Sequence, residues 1–277
     1  AGPPSPAAWR DHPFRSGIPI LFPWPGRVAN AHFTYREREV RLGVNEAIRG
    51  HAIHGLTWNY SFKIVSRGPY FLRTQLSSSD YSELANSWPW RFTFTLDHEV
   101  GNGLRVRATV RNDGDSTMPL GLGAHPYFAV PLSARGTRGA MQVHVPKMQS
   151  QWPLDAKLIP AGPPIALSGK DDLREQRALG TSSYDDAFHL DPHRDPALPV
   201  ARVIDPAAKL AIELRADAPF GEFVLYAPPD RDVVSLEPYT CAPDAFNLAA
   251  RGVASGMREL APGDTFAAGF EIRVSSP

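Results

Sequence analysis

The sequence predicts an all-β protein, a large antiparallel β-sandwich with few short helices. Apolar and polar residues alternate with period two along many short segments, whereas helical periodicity is sparse. The 277 residues include 28 prolines and 22 glycines, which interrupt regular elements and favour short strands joined by turns. Hydrophobic residues make up 43% and charged residues 21%. This is the composition of a globular chain, and its length allows a large core.

The clearest element is a hairpin over residues 91–111. Its first half places Phe92, Phe94 and Leu96 on one face, and its second half alternates valine or alanine with arginine and threonine from Leu104 onward. The Gly-Asn-Gly sequence at residues 101–103 supplies the turn between them. We therefore predict two half-buried antiparallel strands here.

The remaining elements follow the same reasoning. Further strands are predicted at residues 33–36, 40–42, 210–214, 223–226, 233–236 and 270–274. Residues 172–179 and 243–250 are predicted to form short helices or a few turns. The proline-rich stretch 160–164 is predicted to be a surface loop, because strand patterning resumes on both sides. We therefore expect residues 1–277 to form one sandwich domain.

Composition excludes several classes of protein. Lysine and arginine number 29, against 29 aspartates and glutamates, so bulk electrostatics gives no support for nucleic-acid binding. No apolar run is long enough for a transmembrane helix, and residues 1–6 lack the features of a signal peptide. The single cysteine, Cys241, excludes an internal disulfide framework and a cysteine-rich zinc site. We expect a cytoplasmic protein with no membrane partner.

Other catalytic signatures do not occur in the sequence. Residues 121–123 form a Gly-X-Gly without the third glycine or the following helix of a dinucleotide loop. There is no Gly-X-Ser-X-Gly nucleophile elbow. His51 and His54 are three apart, but no metal-binding motif accompanies them. We therefore expect no metal and no nucleotide cofactor.

Two motifs place an ionisable residue directly before a proline. Residues 121–128 read GLGAHPYF and contain His125, and residues 233–240 read VVSLEPYT and contain Glu237. Proline extends the preceding backbone and cannot donate to a ladder, so each motif is predicted to end a strand. Together they supply a proton donor and a proton acceptor near neutral pH. Taken singly, each is equally well explained as an ordinary polar residue at a sheet rim.

Two further segments accompany these motifs. Residues 17–28 (GIPILFPWPGRV) deliver Arg27 after an aromatic, proline-rich stretch, and residues 51–56 (HAIHGL) place His54 before a glycine. Aromatic faces beside polar groups suit a sugar, which presents apolar C–H patches and many hydroxyls. A tryptophan is nevertheless more often a core residue. Four tryptophans are close to these segments in sequence: Trp24, Trp58, Trp88 and Trp90.

The motifs FPWPGRV, HGL, GLGAHPYF, YDDAF and LEPYT, in this order, resemble those of the aldose 1-epimerase (galactose mutarotase-like) family. The resemblance extends from about residue 17 to residue 274. It implies the galactose mutarotase-like supersandwich, with a sugar site on a concave face. It also implies interconversion of the α and β anomers of a free aldose, a monosaccharide substrate, without a cofactor.

The resemblance also implies roles for individual residues. His125 is the expected general acid and Glu237 the expected general base. Substrate binding is expected from Arg27, His54 and Asp185, with Asp186 as the rival of Asp185.

This chain departs from the family at three places. Gly26 stands where many members have asparagine, and residues 57–59 (Thr-Trp-Asn) stand where an arginine is common. The family usually has more sequence before the first motif than the 16 residues present here, so early strands are expected to be missing, disordered or never formed. The departures bear on the substrate more than on the chemistry.

Anomer exchange requires opening of the hemiacetal. A base removes the C1 hydroxyl proton while an acid protonates the ring oxygen, and the open aldehyde rotates and recloses with the roles reversed. If the five residues form one site, we expect them around one open cleft with tryptophan or phenylalanine in its wall. His125 and Glu237 are expected to face each other across a sugar-sized gap, without a direct salt bridge.

Two other functions fit the sequence. A glucose-6-phosphate 1-epimerase would perform the same reaction on a phosphosugar and would need a cationic pocket. Arg36, Arg49 and Arg67 are candidates, although nothing in the sequence clusters them. The other is a non-catalytic carbohydrate-binding protein on the same fold, which would not need both His125 and Glu237. We expect a monomer or a weak homodimer.

Overall fold

A computed structural model describes residues 14–277 of the chain. Residues 1–6, for which we expect no signal peptide, lie outside the described residues. The strands are, in chain order, β1 (Ile20–Leu21), β2 (Arg27–Val28), β3 (His32–Tyr35), β4 (Arg38–Arg41), β5 (Ala52–Ile53), β6 (Lys63–Arg67), β7 (Phe71–Ser77), β8 (Phe92–Val100), β9 (Leu104–Asn112), β10 (Met118–Leu120), β11 (Gly123–Ala124), β12 (Tyr127–Ala129), β13 (Gln142–His144), β14 (Met148–Gln151), β15 (Arg177–Ala178), β16 (Tyr184–Leu190), β17 (Ala201–Asp205), β18 (Leu210–Ala216), β19 (Glu222–Ala227), β20 (Val233–Tyr239), β21 (Arg258–Leu260) and β22 (Thr265–Ser275). The α-helices of the described part are α1 (Ser82–Ser87) and α2 (Ala245–Ala250).

Two large antiparallel sheets dominate the structure, which confirms the predicted all-β class. The nine-stranded sheet has the order β15-β13-β17-β18-β22-β9-β8-β7-β6. The seven-stranded sheet has the order β1-β11-β20-β19-β16-β14, and β12 also pairs with β20. The predicted hairpin is confirmed, since β8 pairs with β9 along its whole length. Three two-stranded ladders, β2-β5, β3-β4 and β10-β21, complete the described sheets.

The main hydrophobic core draws on both large sheets. On the seven-stranded sheet, Phe223 and Leu225 of β19 and Leu236 of β20 belong to the same buried cluster as Phe94 of β8 and Val106 of β9. Because side chains alternate along a strand, the residues between them in sequence point away from this core. The opposite face of β19 and β20 is therefore free to build a site.

The two helical predictions had different outcomes. The helix predicted at residues 243–250 is confirmed as α2. The helix predicted at residues 172–179 is wrong, because this segment follows the edge of the nine-stranded sheet. Leu179 donates its N–H to the carbonyl of Met141, and Leu173 accepts one from Val145, so both buried leucines are held by sheet-like contacts. No helix in residues 14–277 is long and apolar enough to cross a membrane.

Candidate active site

A cleft of about 690 Å³ opens on the face of the seven-stranded sheet that points away from the main core. All five residues selected from the sequence line it: Arg27, His54, His125, Asp185 and Glu237. Arg27 lies on β2, Asp185 on β16 and Glu237 on β20. His54 and His125 directly follow β5 and β11. The fold therefore brings together side chains that are far apart in sequence, as expected for one shared cleft.

The strand register makes His125 and Glu237 neighbours. Tyr127 pairs with Ser235 and Gly123 pairs with Tyr239, so the residues midway between these pairs lie opposite each other. Directly opposed residues of an antiparallel pair have Cβ atoms only about 4.5–5.5 Å apart. Both side chains therefore project from adjacent strands toward the same cleft.

The prediction that both proline motifs end a strand holds for one motif only. Strand β11 ends at Ala124, directly before His125, but β20 continues through Pro238 to Tyr239. The ladder on one side of β20 is interrupted between β11 and β12. A proline inside β20 therefore disrupts few ladder hydrogen bonds.

The prediction of a sugar-sized gap between His125 and Glu237 is wrong. Nε2 of His125 lies 3.1 Å from Oε1 of Glu237, so the two groups are in direct contact. Their cross-strand positions explain this closeness. The contact leaves one side of the pair facing the cleft, since both residues line it.

Three neighbouring side chains hold this pair in place. The hydroxyl of Ser235 donates to the carbonyl oxygen of Pro126 at 2.8 Å, so it accepts from Nδ1–H of His125, also at 2.8 Å. This arrangement leaves Nε2 facing Glu237 and the cleft. The phenol of Tyr239 donates to Oε2 of Glu237 at 2.6 Å. The hydroxyl oxygen of Tyr127 lies 3.2 Å from Nε2 of His125.

Burial changes the acidity of both members of the pair. It raises the pKa of Glu237 well above its usual value, and it lowers the pKa of His125 to about 3. Burial disfavours the charged form of each group and so favours a neutral carboxylic acid beside a neutral imidazole. The ionised pair has the same total number of protons and differs only by a proton moved across the 3.1 Å contact.

Arg27 lies between two carboxylates. It is the ladder partner of Ile53 on β5, and its Nε is 3.0 Å from Oε2 of Glu46. Its Nη2 is 3.5 Å from Oδ2 of Asp185. Burial opposes the charge of Arg27, but Asp185 and Glu46 outweigh that effect and raise its pKa. Gly26, a departure from the family pattern, has φ +64°, a backbone conformation that glycine and asparagine adopt most readily.

His54 is fixed by an unusual backbone. It has φ +64° and is followed by Gly55 with φ +72°. A Cβ on Gly55 would lie only 2.2 Å from the carbonyl oxygen of Phe22, so only glycine fits there. Burial lowers the pKa of His54 well below its usual value, which favours the neutral ring. Its Nδ1 is buried and has no hydrogen-bond partner among the described residues.

One tryptophan and one phenylalanine line the cleft, as expected. Trp58 and Phe14 pack edge-to-face with ring centroids 4.9 Å apart. Trp24, Trp88 and Trp90 are buried in the main core instead. The sugar-facing interpretation therefore applies to Trp58 alone among the four tryptophans selected.

Most charged residues around the cleft are paired. Asp186 also lines it, but its Oδ2 lies 3.4 Å from Nζ of Lys170, whereas Asp185 faces Arg27. Glu46, Ser235 and the hydrogen-bonding role of Tyr239 were not found from the sequence. In the part of the chain that the structure describes, no three His, Cys, Asp or Glu residues are grouped to hold a metal ion.

Comparisons with known proteins agree with the motif order and the fold. The sequence model of the aldose 1-epimerase family matches residues 3–273. The uncharacterized protein YihR of Escherichia coli (strain K12) is 23% identical over 236 residues, which cover 82% of this chain and 71% of YihR. A 113-residue segment is 31% identical to the uncharacterized protein YphB of the same organism and covers 41% of this chain and 36% of YphB.

Solved structures share the fold at low sequence identity. A galactose mutarotase-like protein from Clostridium acetobutylicum superposes with a TM-score of 0.89 at 20% identity, over 99% of this chain and 83% of that one. Galactose 1-epimerase from Lactobacillus acidophilus NCFM superposes with a TM-score of 0.75 at 15% identity, over 100% of this chain and 84% of that one. The fold is thus the galactose mutarotase-like β-sandwich, and because the family model matches nearly the whole chain, the protein belongs to the aldose 1-epimerase family.

Proposed function

We propose that this protein is an aldose 1-epimerase that interconverts the α and β anomers of a free aldose. The observation that carries the proposal is the direct contact of His125 and Glu237 within the cleft. The ring oxygen and the C1 hydroxyl oxygen of a pyranose are both bonded to C1. Two adjacent proton-transfer groups therefore suit them better than two groups separated by a whole ring.

The reaction conserves protons at every step. The carboxylate of Glu237 takes the C1 hydroxyl proton, and the imidazolium of His125 gives its Nε2 proton to the ring oxygen. The bond between C1 and the ring oxygen breaks, which leaves an aldehyde at C1 and a hydroxyl at C5. After rotation about the C1–C2 bond, the C5 hydroxyl attacks the other face of the aldehyde, and both protons return.

The resting pair already holds the proton that this chemistry needs. Burial favours the form with this proton on Glu237, and its transfer to Nε2 of His125 across the 3.1 Å contact produces the reactive ionised pair. The positive charge of Arg27 favours the ionised form of Glu237. Each proton-transfer group is expected to contribute about 10²–10⁴-fold to the rate.

Arg27, His54 and Asp185 are proposed to bind the sugar. The guanidinium and the carboxylate can donate to and accept from ring hydroxyls, and the imidazole of His54, which also lines the cleft, offers a further polar contact. Such contacts hold the opened aldehyde close to the pair until it recloses. The rings of Trp58 and Phe14 supply apolar surface for the C–H groups of the sugar.

A phosphosugar is the second candidate substrate, because two arginines that were not selected from the sequence line the cleft. Arg36 and Arg67 do not line the cleft, and Arg49 lines it but has its Nη1 2.8 Å from Glu46. Arg15 and Arg231 also line the cleft. Within residues 14–277 neither has a carboxylate within 4.0 Å, although Nη2 of Arg231 donates to the backbone carbonyl oxygen of Arg15 at 2.6 Å and its guanidinium lies over the ring of Tyr127. Two cations without a carboxylate partner suit an anionic substituent.

Polarimetry tests these proposals directly. Freshly dissolved α-glucose, α-galactose and glucose 6-phosphate would be followed with and without the protein, each corrected for spontaneous mutarotation. Acceleration with a free hexose supports the first candidate, and acceleration with glucose 6-phosphate alone supports the second. No acceleration with any sugar, despite measurable binding, would favour a non-catalytic carbohydrate-binding protein. A single domain, a monomer or weak homodimer, and a cytoplasmic location remain predictions.

A further inference from the structure

Glu46 lies in the segment between β4 and β5 and lines the same cleft. It takes no part in the proposed proton transfers. We propose that Glu46 is a positioning residue, which fixes the guanidinium of Arg27 so that Arg27 and Asp185 both stay available to the sugar. This inference rests on the proposed function, because it assigns Glu46 to the same sugar site.

The contact between Glu46 and Arg27 uses one whole edge of the guanidinium. Nε of Arg27 lies 3.0 Å from Oε2 of Glu46, and Nη2 lies 3.1 Å from Oε1. Both side chains are only 12% exposed, so solvent screens the pair weakly. Two parallel hydrogen bonds define the orientation of the guanidinium as well as its position. Nη1 then has no protein partner in the described part of the chain and can donate to a sugar hydroxyl.

Glu46 and Arg27 are anchored on the same short strand. Ile53 of β5 is the ladder partner of Arg27. The side chain of Asn45, which directly precedes Glu46, accepts from the N–H of Ile53 at 2.7 Å and donates to its carbonyl oxygen at 2.9 Å. The backbone of Glu46 also forms an isolated antiparallel β-bridge with His51, just before β5. The separation of the carboxylate from the guanidinium is therefore set by backbone-anchored contacts.

The closeness of Asp185 explains why the guanidinium of Arg27 has to be held in position by Glu46. Oδ2 of Asp185 lies 3.5 Å from Nη2 of Arg27, which is too long for a strong hydrogen bond. An arginine released from Glu46 would close on Asp185 and form a tighter salt bridge. That contact would occupy both groups at once. Glu46 therefore prevents Arg27 from forming a tight salt bridge with Asp185, so that the carboxylate of Asp185 stays available to the sugar.

The test is a double-mutant cycle with Glu46→Gln, Arg27→Gln and the double variant. The matched control is Glu213→Gln, because Glu213 is also largely buried at 6% exposure and pairs with two arginines, but lies on the nine-stranded sheet away from the cleft. kcat and KM are measured by polarimetry, sugar Kd by calorimetry, and folding by thermal denaturation.

We expect Glu46→Gln to lower kcat/KM by about 10–100-fold, because a displaced binding group costs up to about that much. In the Arg27→Gln background the same change should cost less than about twofold, since the group that Glu46 positions is gone. Glu213→Gln should leave kcat/KM near the wild-type value. If Glu46→Gln folds poorly, Glu46→Asp serves instead, because it keeps the charge but is too short for both hydrogen bonds.

Two results would overturn the proposal. One is an unchanged kcat/KM and sugar Kd in a folded Glu46→Gln variant. The other is an equal loss in the presence and absence of Arg27, which would mean that Glu46 acts independently. If the wild-type protein binds a sugar but accelerates no mutarotation, the proposed function fails. The cycle is then evaluated from sugar Kd, where the same non-additivity supports the positioning role.

Discussion

Replacing Tyr239 with phenylalanine removes a single hydrogen bond from the proposed base. The phenol donates to Oε2 of Glu237 at 2.6 Å, and burial raises the pKa of Tyr239 well above its usual value, so it remains a donor throughout the accessible pH range. The ring packs against Gly123, where an added Cβ would lie 2.8 Å from it. Phenylalanine keeps that packing, so the variant should fold normally.

The expected magnitude follows from the kind of hydrogen bond that is lost. A hydrogen bond to a charged group contributes about 1.5–3 kcal/mol, and 1.36 kcal/mol corresponds to a factor of ten in a protonation equilibrium. Without Tyr239, the carboxylate of Glu237 becomes less stable relative to its acid by a factor of about ten or more. The ionised pair that is proposed to react with the sugar is then correspondingly rarer.

The pH profile gives this change a definite sign. In the proposed mechanism, loss of the shared proton from the pair inactivates the site on the alkaline side, because His125 then has no proton to give. The pKa of Glu237 is already raised by burial, and removal of the Tyr239 hydrogen bond raises it further. The alkaline limb of kcat/KM should therefore move to higher pH, while the plateau falls about tenfold or more.

The assay is kcat/KM for anomer exchange as a function of pH, corrected at each pH for the spontaneous reaction. Tyr226→Phe is the control, because Tyr226 lines the same cleft but makes no hydrogen bond to Glu237 among the described residues. Its alkaline limb should stay at the wild-type position. A folded Tyr239→Phe enzyme with an unchanged plateau and an unchanged alkaline limb would refute the assignment of Glu237 as the ionising base.

Three further substitutions test the site and the fold. Glu237→Gln should keep the fold and lose more than about 99% of kcat, because an amide cannot accept the C1 proton; retention of a tenth of wild-type kcat contradicts the base role. His125→Asn should lower kcat far more than it weakens sugar binding, and calorimetry showing the reverse would make His125 a binding residue. Gly55→Ala should destabilise the fold by at least about 2 kcal/mol in denaturant unfolding, since its Cβ meets the Phe22 carbonyl at 2.2 Å. Gly263→Ala, with φ +82° but open space around it, should cost clearly less, and equal costs would refute the steric argument.

The strands were predictable where one face packs into the core and the other does not. Phe92, Phe94 and Leu96 face the core, and the residues between them do not, so the period-two pattern is explicit in the sequence. The segment 172–179 carried no such pattern. Its two buried leucines are held by backbone contacts to Met141 and Val145, and those partners depend on tertiary structure. Helix α1 was not predicted, because six residues are too few to show a helical period.

The sequence predicted which residues share the cleft but not their geometry. The motifs selected five side chains that share one cleft, yet His125 and Glu237 lie more than 100 positions apart. Their contact depends on the register of β20 with β11 and β12. A shift of one residue would turn Glu237 to the opposite face of the sheet. The two motifs do not reveal which of their residues lie opposite each other, so the predicted gap was wrong.

The residues that support the pair differ in how far they could have been inferred. Ser235 and Tyr239 lie two positions before and after Glu237 on one strand, so the alternation of side chains places all three on the same face. Once Glu237 is selected, its two neighbours on that face are the natural candidates for its hydrogen-bond partners. Glu46 offers no comparable signal, because it lies in an irregular segment 19 positions from Arg27. Its role depends on Asn45 fastening that segment to β5, a contact that no periodicity predicts. Supporting residues on the strands of this fold can thus be inferred from the motifs, whereas those contributed by loops require the structure.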